Sequence, residues 1–411
     1  MKFFLSIFLL SLAATVSLAQ TNTLEHYLEI SKKNSPLLTD LKNQVQSSQL
    51  DSLRLRAALR PQVNGIGAGL FAPSYNGFGY AGAITNVHTI NALVSASKTL
   101  INKQYINSQI TAISLQRDSI LNISKISERD LKKAIIAQYI TAYGSLLQVK
   151  FTNEVVDLLT KEEGLLKTLT QSNIYHQSDY LTFLVTLKQQ KLQTLQARLQ
   201  YKNDFATLNY LAGITDTSSV ELNYPSLEKT TLPEPAASIF FKKYQIDSLR
   251  LINSRKLVDF AYKPKGSIFA DGGFNSDFSD QPYKNFGTSI GFSLSIPIFD
   301  GGVRKLQYKK LSLQEETRVN YKAFFNLQYK QQIDQLNQQI NQSDELLKEI
   351  EDQIKYADTL IQVDLKLLQT GDLKIADLVL AINNYLVIKN LKTTTNINKL
   401  QLINQLNYWN K

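Results

Sequence analysis

Three histidines, His26, His88 and His176, stand far apart in the chain, and its 411 residues contain no cysteine. A metal site built on such a set is improbable on chemical grounds, and disulfides, thiol chemistry and a thioether-linked lipid at the mature N-terminus are ruled out, so a lipoprotein is not expected. No nucleophile elbow, phosphate loop, metal-ligand cluster or dinucleotide fingerprint is written in the sequence. It therefore assigns no catalytic, cofactor-binding or metal-binding residue, and an enzyme is not expected. Two carboxylates do recur in matched settings. Asp179 in QSNIYHQSDYL and Asp377 in QTGDLKIADLV lie 198 residues apart, and the two segments align without a gap. An aspartate near the start of a helix is favoured by the macrodipole and by free backbone amides.

The net charge of +10 comes from lysines and arginines scattered among acidic residues. This reads as a solvated surface and not as a nucleic-acid site. The chain opens MKFFLSIFLLSLAATVSLAQ, with Lys2, an apolar run and a Ser17-Leu18-Ala19 cleavage site. Residues 1–19 are expected to be a secretory signal peptide and are excluded from the fold. No other run is apolar enough for a transmembrane helix, so contact with a membrane would have to use a β-barrel.

The carboxylate pair belongs to a larger duplication. The same offset lays HTINALVSASKTLIN over FGTSIGFSLSIPIFD, while Pro61 and Pro264 are 203 residues apart, so the first Gly-rich block holds about five more residues. Each repeat reads helix, strand, turn, strand, long helix, tight turn, helix. The expected division is a first repeat over 20–212 with a β-hairpin at about 62–98 and a helical hairpin at 103–212. A linker covers 213–243, and a second repeat covers 244–411 with a β-hairpin at about 265–299 and a helical hairpin at 303–411. Each long helix has nearly 70 residues, or roughly 100 Å. Leu347, Ile350, Ile354, Ala357, Ile361, Leu365 and Leu368 follow the three-four spacing of a coiled-coil seam. Gly371 supplies the positive φ that ends the second long helix, and Asn173 can do the same in the first.

In TSIGFSLSIPIFDGG, residues 288–302, Ile290, Phe292, Leu294, Ile296 and Ile298 alternate with Ser289, Gly291, Ser293, Ser295 and Pro297. The period of two predicts a strand with one apolar and one small, polar face. With its three companions it makes four strands of about 10 residues, the length of a tilted transmembrane strand. Four strands cannot close a barrel, and open edges in lipid are costly, so protomers must pool strands; three copies give twelve. Ile290, Phe292, Leu294 and Ile296 would face lipid, and Ser289, Gly291, Ser293 and Ser295 a wet lumen.

The strand end IPIFDGG, with Pro297, Asp300, Gly301 and Gly302 leading into a long helix, the LRPQV entry to the first strand, the doubled layout and the QTGDLKIADLVLA turn together resemble the TolC family of outer-membrane efflux proteins, over about Leu24 to Trp409. The resemblance implies a mainly α fold with a β-barrel contribution: a homotrimer with a twelve-stranded outer-membrane barrel, a helical tunnel across the periplasm and an equatorial belt that includes 213–243. It implies a passive exit duct for efflux or type I secretion, partnered by a periplasmic adaptor protein, an inner-membrane pump and outer-membrane lipid. It also implies acidic side chains at the helical tips that narrow the entrance. Asp377 matches that place, with Asp372 and Asp179 as further candidates, while Leu380 replaces a second acidic residue often found in the family. A periplasmic coiled-coil scaffold or adaptor would explain the helices, but not the alternating strands.

Overall fold

The structure, a computed structural model, describes residues 23–80, 88–230, 238–277 and 281–410. The expected signal peptide and the linker prolines Pro233 and Pro235 lie outside the described residues. Helix α1 (Leu24–Asn34) is capped by Thr23, whose Oγ1 accepts the His26 N–H at 3.4 Å. Pro36 then opens α2 (Pro36–Ala58), because a proline at the first helical position has no amide to leave unpaired. That helix ends at Ala58, close to Pro61, which disfavours helical geometry in the residue before it.

The strands β1 (Gln62–Phe71) and β2 (His88–Leu100) follow, then α3 (Lys103–Gln171) and α4 (Gln177–Ala212). The second half contains α5 (Ile239–Ala261), β3 (Lys265–Ser276), a 3-10 turn at Pro282–Lys284, β4 (Phe286–Ser295), α6 (Val303–Thr370) and α7 (Ile375–Tyr408). The duplication is visible in these bounds: β2 and β4 begin 198 residues apart, as do α4 and α7, whereas β1 and β3 begin 203 apart. The five extra residues therefore lie between the start of β1 and the start of β2.

Contact density divides the chain into two units. One holds Asp40–Ile123 and Phe241–Phe324, and therefore the whole sheet. Its four strands are antiparallel in the order β1-β2-β3-β4. The flanking helices are tied by buried polar contacts as well as by packing: the Asn253 amide donates to the Ser108 carbonyl at 2.8 Å, and the Arg318 guanidinium to the Tyr244 carbonyl at 3.2 Å.

The other unit takes in the described residues up to Thr39, Ser124–Phe240 and those from Phe325 onward. One of its cores gathers Tyr27, Ile135, Tyr139, Ile140, Phe205 and Leu208. A second surrounds Leu166, Tyr175, Phe183, Leu368, Ile375 and Leu378. The irregular stretch after α4 is pinned from side chains to backbone: the Tyr139 hydroxyl donates to the Asn223 carbonyl at 2.8 Å, Asn209 to Asp216 at 2.6 Å and Asn407 to Glu228 at 2.8 Å. These bonds satisfy carbonyls that no helix or strand would pair.

Candidate functional site

The register of the sheet assigns its two faces. Ile290, Phe292 and Leu294 stand opposite Ala270, Ile268 and Gly266, which in turn stand opposite Ala96, Lys98 and Leu100. Directly opposed residues share a face, so this stretch of it is apolar apart from Lys98, with Thr288, Ser276 and His88 on the same face toward the other end of the sheet. Ile290, Phe292 and Leu294 are 88%, 80% and 61% exposed, so nothing among the described residues covers them. The expected strand to Ile298 is shortened: β4 ends at Ser295, and Ile296 lies beyond it. Pro297 has no N–H for a ladder and breaks the pairing there.

The opposite face carries Ser289, Gly291, Ser293 and Ser295 from β4, with Asp271 and Ser267 from β3 and Ser95 and Ser97 from β2. Ser267 and Ser293 join their hydroxyls at 2.7 Å. This face is not wholly polar, since Leu93 and Phe269 also lie on it, and the Phe269 ring sits where a Cβ on Gly291 would stand. The absent side chain at Gly291 is what lets that ring lie flat on the sheet.

Past β4 the chain turns into α6 through two glycines, Gly301 at φ +63° and Gly302 at φ +86°. Asp300 closes the turn. Its carboxylate accepts the Gly302 N–H at 2.9 Å and the Arg304 N–H at 2.8 Å, and these amides hold it below the usual carboxylate range. The Arg304 guanidinium reaches Asp259 at 2.8 Å, and the Tyr308 hydroxyl donates to the same carboxylate. The junction thus joins α5 to α6.

At the helical turns, α3 and α6 end in the same device. The Ile174 N–H bonds to the Leu169 carbonyl and the Asn173 N–H to Thr170, with Asn173 at φ +58°; the Asp372 N–H bonds to Leu367 and the Gly371 N–H to Leu368, with Gly371 at φ +82°. Both are Schellman caps, and 198 residues separate Asn173 from Gly371. The two turns touch, because a Cβ on Gly371 would stand 2.6 Å from Ile174 Cγ2.

The repeated carboxylates differ. Asp179 accepts the His176 backbone N–H at 3.1 Å, completing half of a capping box. Asp377, three residues after Lys374, is exposed and its carboxylate has no hydrogen-bond or ion-pair partner among the described residues, and Asp372 is likewise exposed beside its turn.

No protein-family model matches the sequence, and no curated protein does. Solved structures do match. The outer membrane protein VceC of Vibrio cholerae aligns with a TM-score of 0.77 at 12% identity, over 94% of this chain and 95% of that one. The Campylobacter jejuni CmeC outer membrane channel gives 0.75 at 12%, over 94% and 85%. The open state of the Neisseria gonorrhoeae MtrE outer membrane channel gives 0.73 at 13%, over 94% and 88%. This chain has the fold of the TolC-family outer-membrane channels.

Within this TolC-family fold, sequence reasoning passed over two carboxylates. Asp364 on α6 is 7% exposed with no hydrogen-bond partner among the described residues. It falls three residues after Ile361 in the very seam that the three-four spacing marks, so a charge inside that seam was the available signal. Burial raises its pKa first, and the neighbouring Asp377 raises it further. Asp271 lies in the alternating stretch of β3, and its setting becomes legible only once the register places it on the polar face. Among the described residues no group of three or more His, Asp or Glu side chains is arranged to hold a metal ion.

Proposed function

We propose that the protein is an outer-membrane exit duct in which three copies pool their sheets into one twelve-stranded barrel and their helices into a periplasmic tunnel. The observation that carries this reading is the sheet itself: four antiparallel strands with an uncovered apolar face and two unpaired edges, β1 and β4. In lipid such edges need partners. Because β1 and β4 run in opposite directions, β4 of one copy can pair antiparallel with β1 of the next, and a repeated contact of this kind closes a ring.

The helices support the same assembly. Leu181, Val185, Leu192 and Leu199 of α4, and Tyr356, Leu360, Val363 and Leu367 of α6, are uncovered stripes at three-, four- and seven-residue spacings. These are seams for neighbouring copies. An inner-membrane pump and a periplasmic adaptor supply energy and selection in a tripartite efflux or type I secretion system, with the adaptor docking at the helical turns. Asp377, its carboxylate free of local bonds, and Asp372 narrow the mouth, while Asp179 serves as a helix cap. Residues 213–243 contribute to an equatorial belt.

Reconstitution into planar bilayers tests the reading. The expected result is that the protein leaves the outer-membrane fraction only with detergent and gives stepwise ion conductance, with cation block weakened in Asp377→Asn. Release by salt alone, with no conductance, contradicts it.

A further inference from the structure

The four strands carry three formal charges: Lys98 on the apolar face, and on the polar face Lys265, at the end of the sheet where β3 begins, and Asp271, six residues further on in the middle of β3. Aspartate is disfavoured in strands, and this one has little local compensation. Its register partners across the sheet are Ser95 and Ser289. The Ser289 hydroxyl donates to Oδ2 at 3.4 Å, whereas Oδ1 is buried with no hydrogen-bond partner, and no lysine or arginine forms an ion pair with the carboxylate among the described residues. The duplication does not explain its presence, because the 203-residue offset that aligns β1 with β3 places Ala68 at the equivalent position.

We infer that Asp271 gives the barrel a preference for cations, through one ring of three carboxylates, one from each copy, at a single height in the lumen. The inference rests on the duct reading above and adds to it a charge class of cargo: cations and cationic molecules are favoured, and multiply charged anions are disfavoured.

The geometry sets the size of the effect. Twelve strands spaced ~4.8 Å apart and tilted ~40° give a barrel radius of roughly 12 Å. The screening length is about 30 Å at 0.01 M salt, 10 Å at 0.1 M and 3 Å at 1 M. Three carboxylates at that radius therefore act across the whole lumen in dilute salt and are masked in concentrated salt. By Coulomb's law in water, they change the ratio of cations to anions in the lumen by roughly several-fold at 0.01 M and by almost nothing at 1 M.

The experiment is the reversal potential of the full-length trimer in a planar bilayer under a potassium chloride gradient, measured at low and at high mean salt. Wild type is expected to prefer potassium at low salt. Asp271→Asn, which keeps the shape and the acceptor for Ser289, should lower the cation-to-anion permeability ratio several-fold at low salt and leave it unchanged at 1 M. Ser289→Lys, which leaves the aspartate in place and sets a cation beside it, should lower the ratio in the same way, while Asp271→Glu should retain it. Conducting variants whose reversal potentials match wild type at low salt overturn the role of Asp271 and leave the duct standing. Absence of any conductance from wild type overturns the duct, and this inference with it.

Discussion

The Asp179 carboxylate accepts the backbone N–H of His176 at 3.1 Å, whereas the carboxylate of Asp377, at the same place in the second repeat and three residues after Lys374, is left with no hydrogen-bond partner among the described residues. The sequence aligns the two, but it does not say which one a local amide holds, because that depends on the geometry of the first helical turn. Asp364 raises a question of pH. Burial, and then the charge of Asp377, lift its folded pKa above that of the unfolded chain. Stability from the protonated form is therefore fully present below the unfolded value of about 3.9 and is lost as pH rises through the folded value. At neutral pH the ionised Asp364 weighs against the fold. Asp364→Asn should raise the thermal midpoint at pH 7 by roughly one to a few degrees and change it little near pH 3. An unchanged midpoint at pH 7 would show that the carboxylate is adequately solvated.

At the scale of elements, the long helices are the most legible part of the sequence, since no proline falls within Lys103–Gln171 or Val303–Thr370 and the isolated Gly144 and Gly164 of the first do not break it. The strand β1 shows no alternation, because Gly65, Gly67 and Gly69 fill the face on which Val63 and Phe71 lie; only its pairing with β2 assigns that face. The break between α1 and α2 rests on Ser35 alone, whose hydroxyl accepts the Leu38 N–H at 3.4 Å, and periodicity does not resolve a one-residue interruption. The tip caps are legible because positive φ restricts the choice of residue. Gly371→Ala would place a β-carbon at φ +82°, close to Ile174, and should destabilise the helical unit by about 1–2 kcal/mol. Gly371→Asn should cost less, since Asn173 holds the equivalent conformation at φ +58°. Chemical denaturation of both variants measures the difference, and equal losses would place the cost in the contact with Ile174 and not in the backbone.

At the scale of the whole molecule, a single chain leaves its edge strands unpaired and its apolar strand face and helical stripes uncovered. In the proposed assembly the repeated contact between copies pairs the edges and covers the helical stripes, while lipid covers the apolar strand face. Composition and alternation make the need for partners legible in the sequence, but the number of copies follows from barrel closure and not from any motif. Electron cryomicroscopy of the detergent-extracted protein tests the central claim most directly. The account predicts a three-fold particle whose β end is a closed ring of twelve strands, β4 of each copy paired with β1 of the next, with Ile290, Phe292 and Leu294 turned toward detergent. A lone protomer, or an assembly in which the β1 and β4 edges remain open, would contradict it.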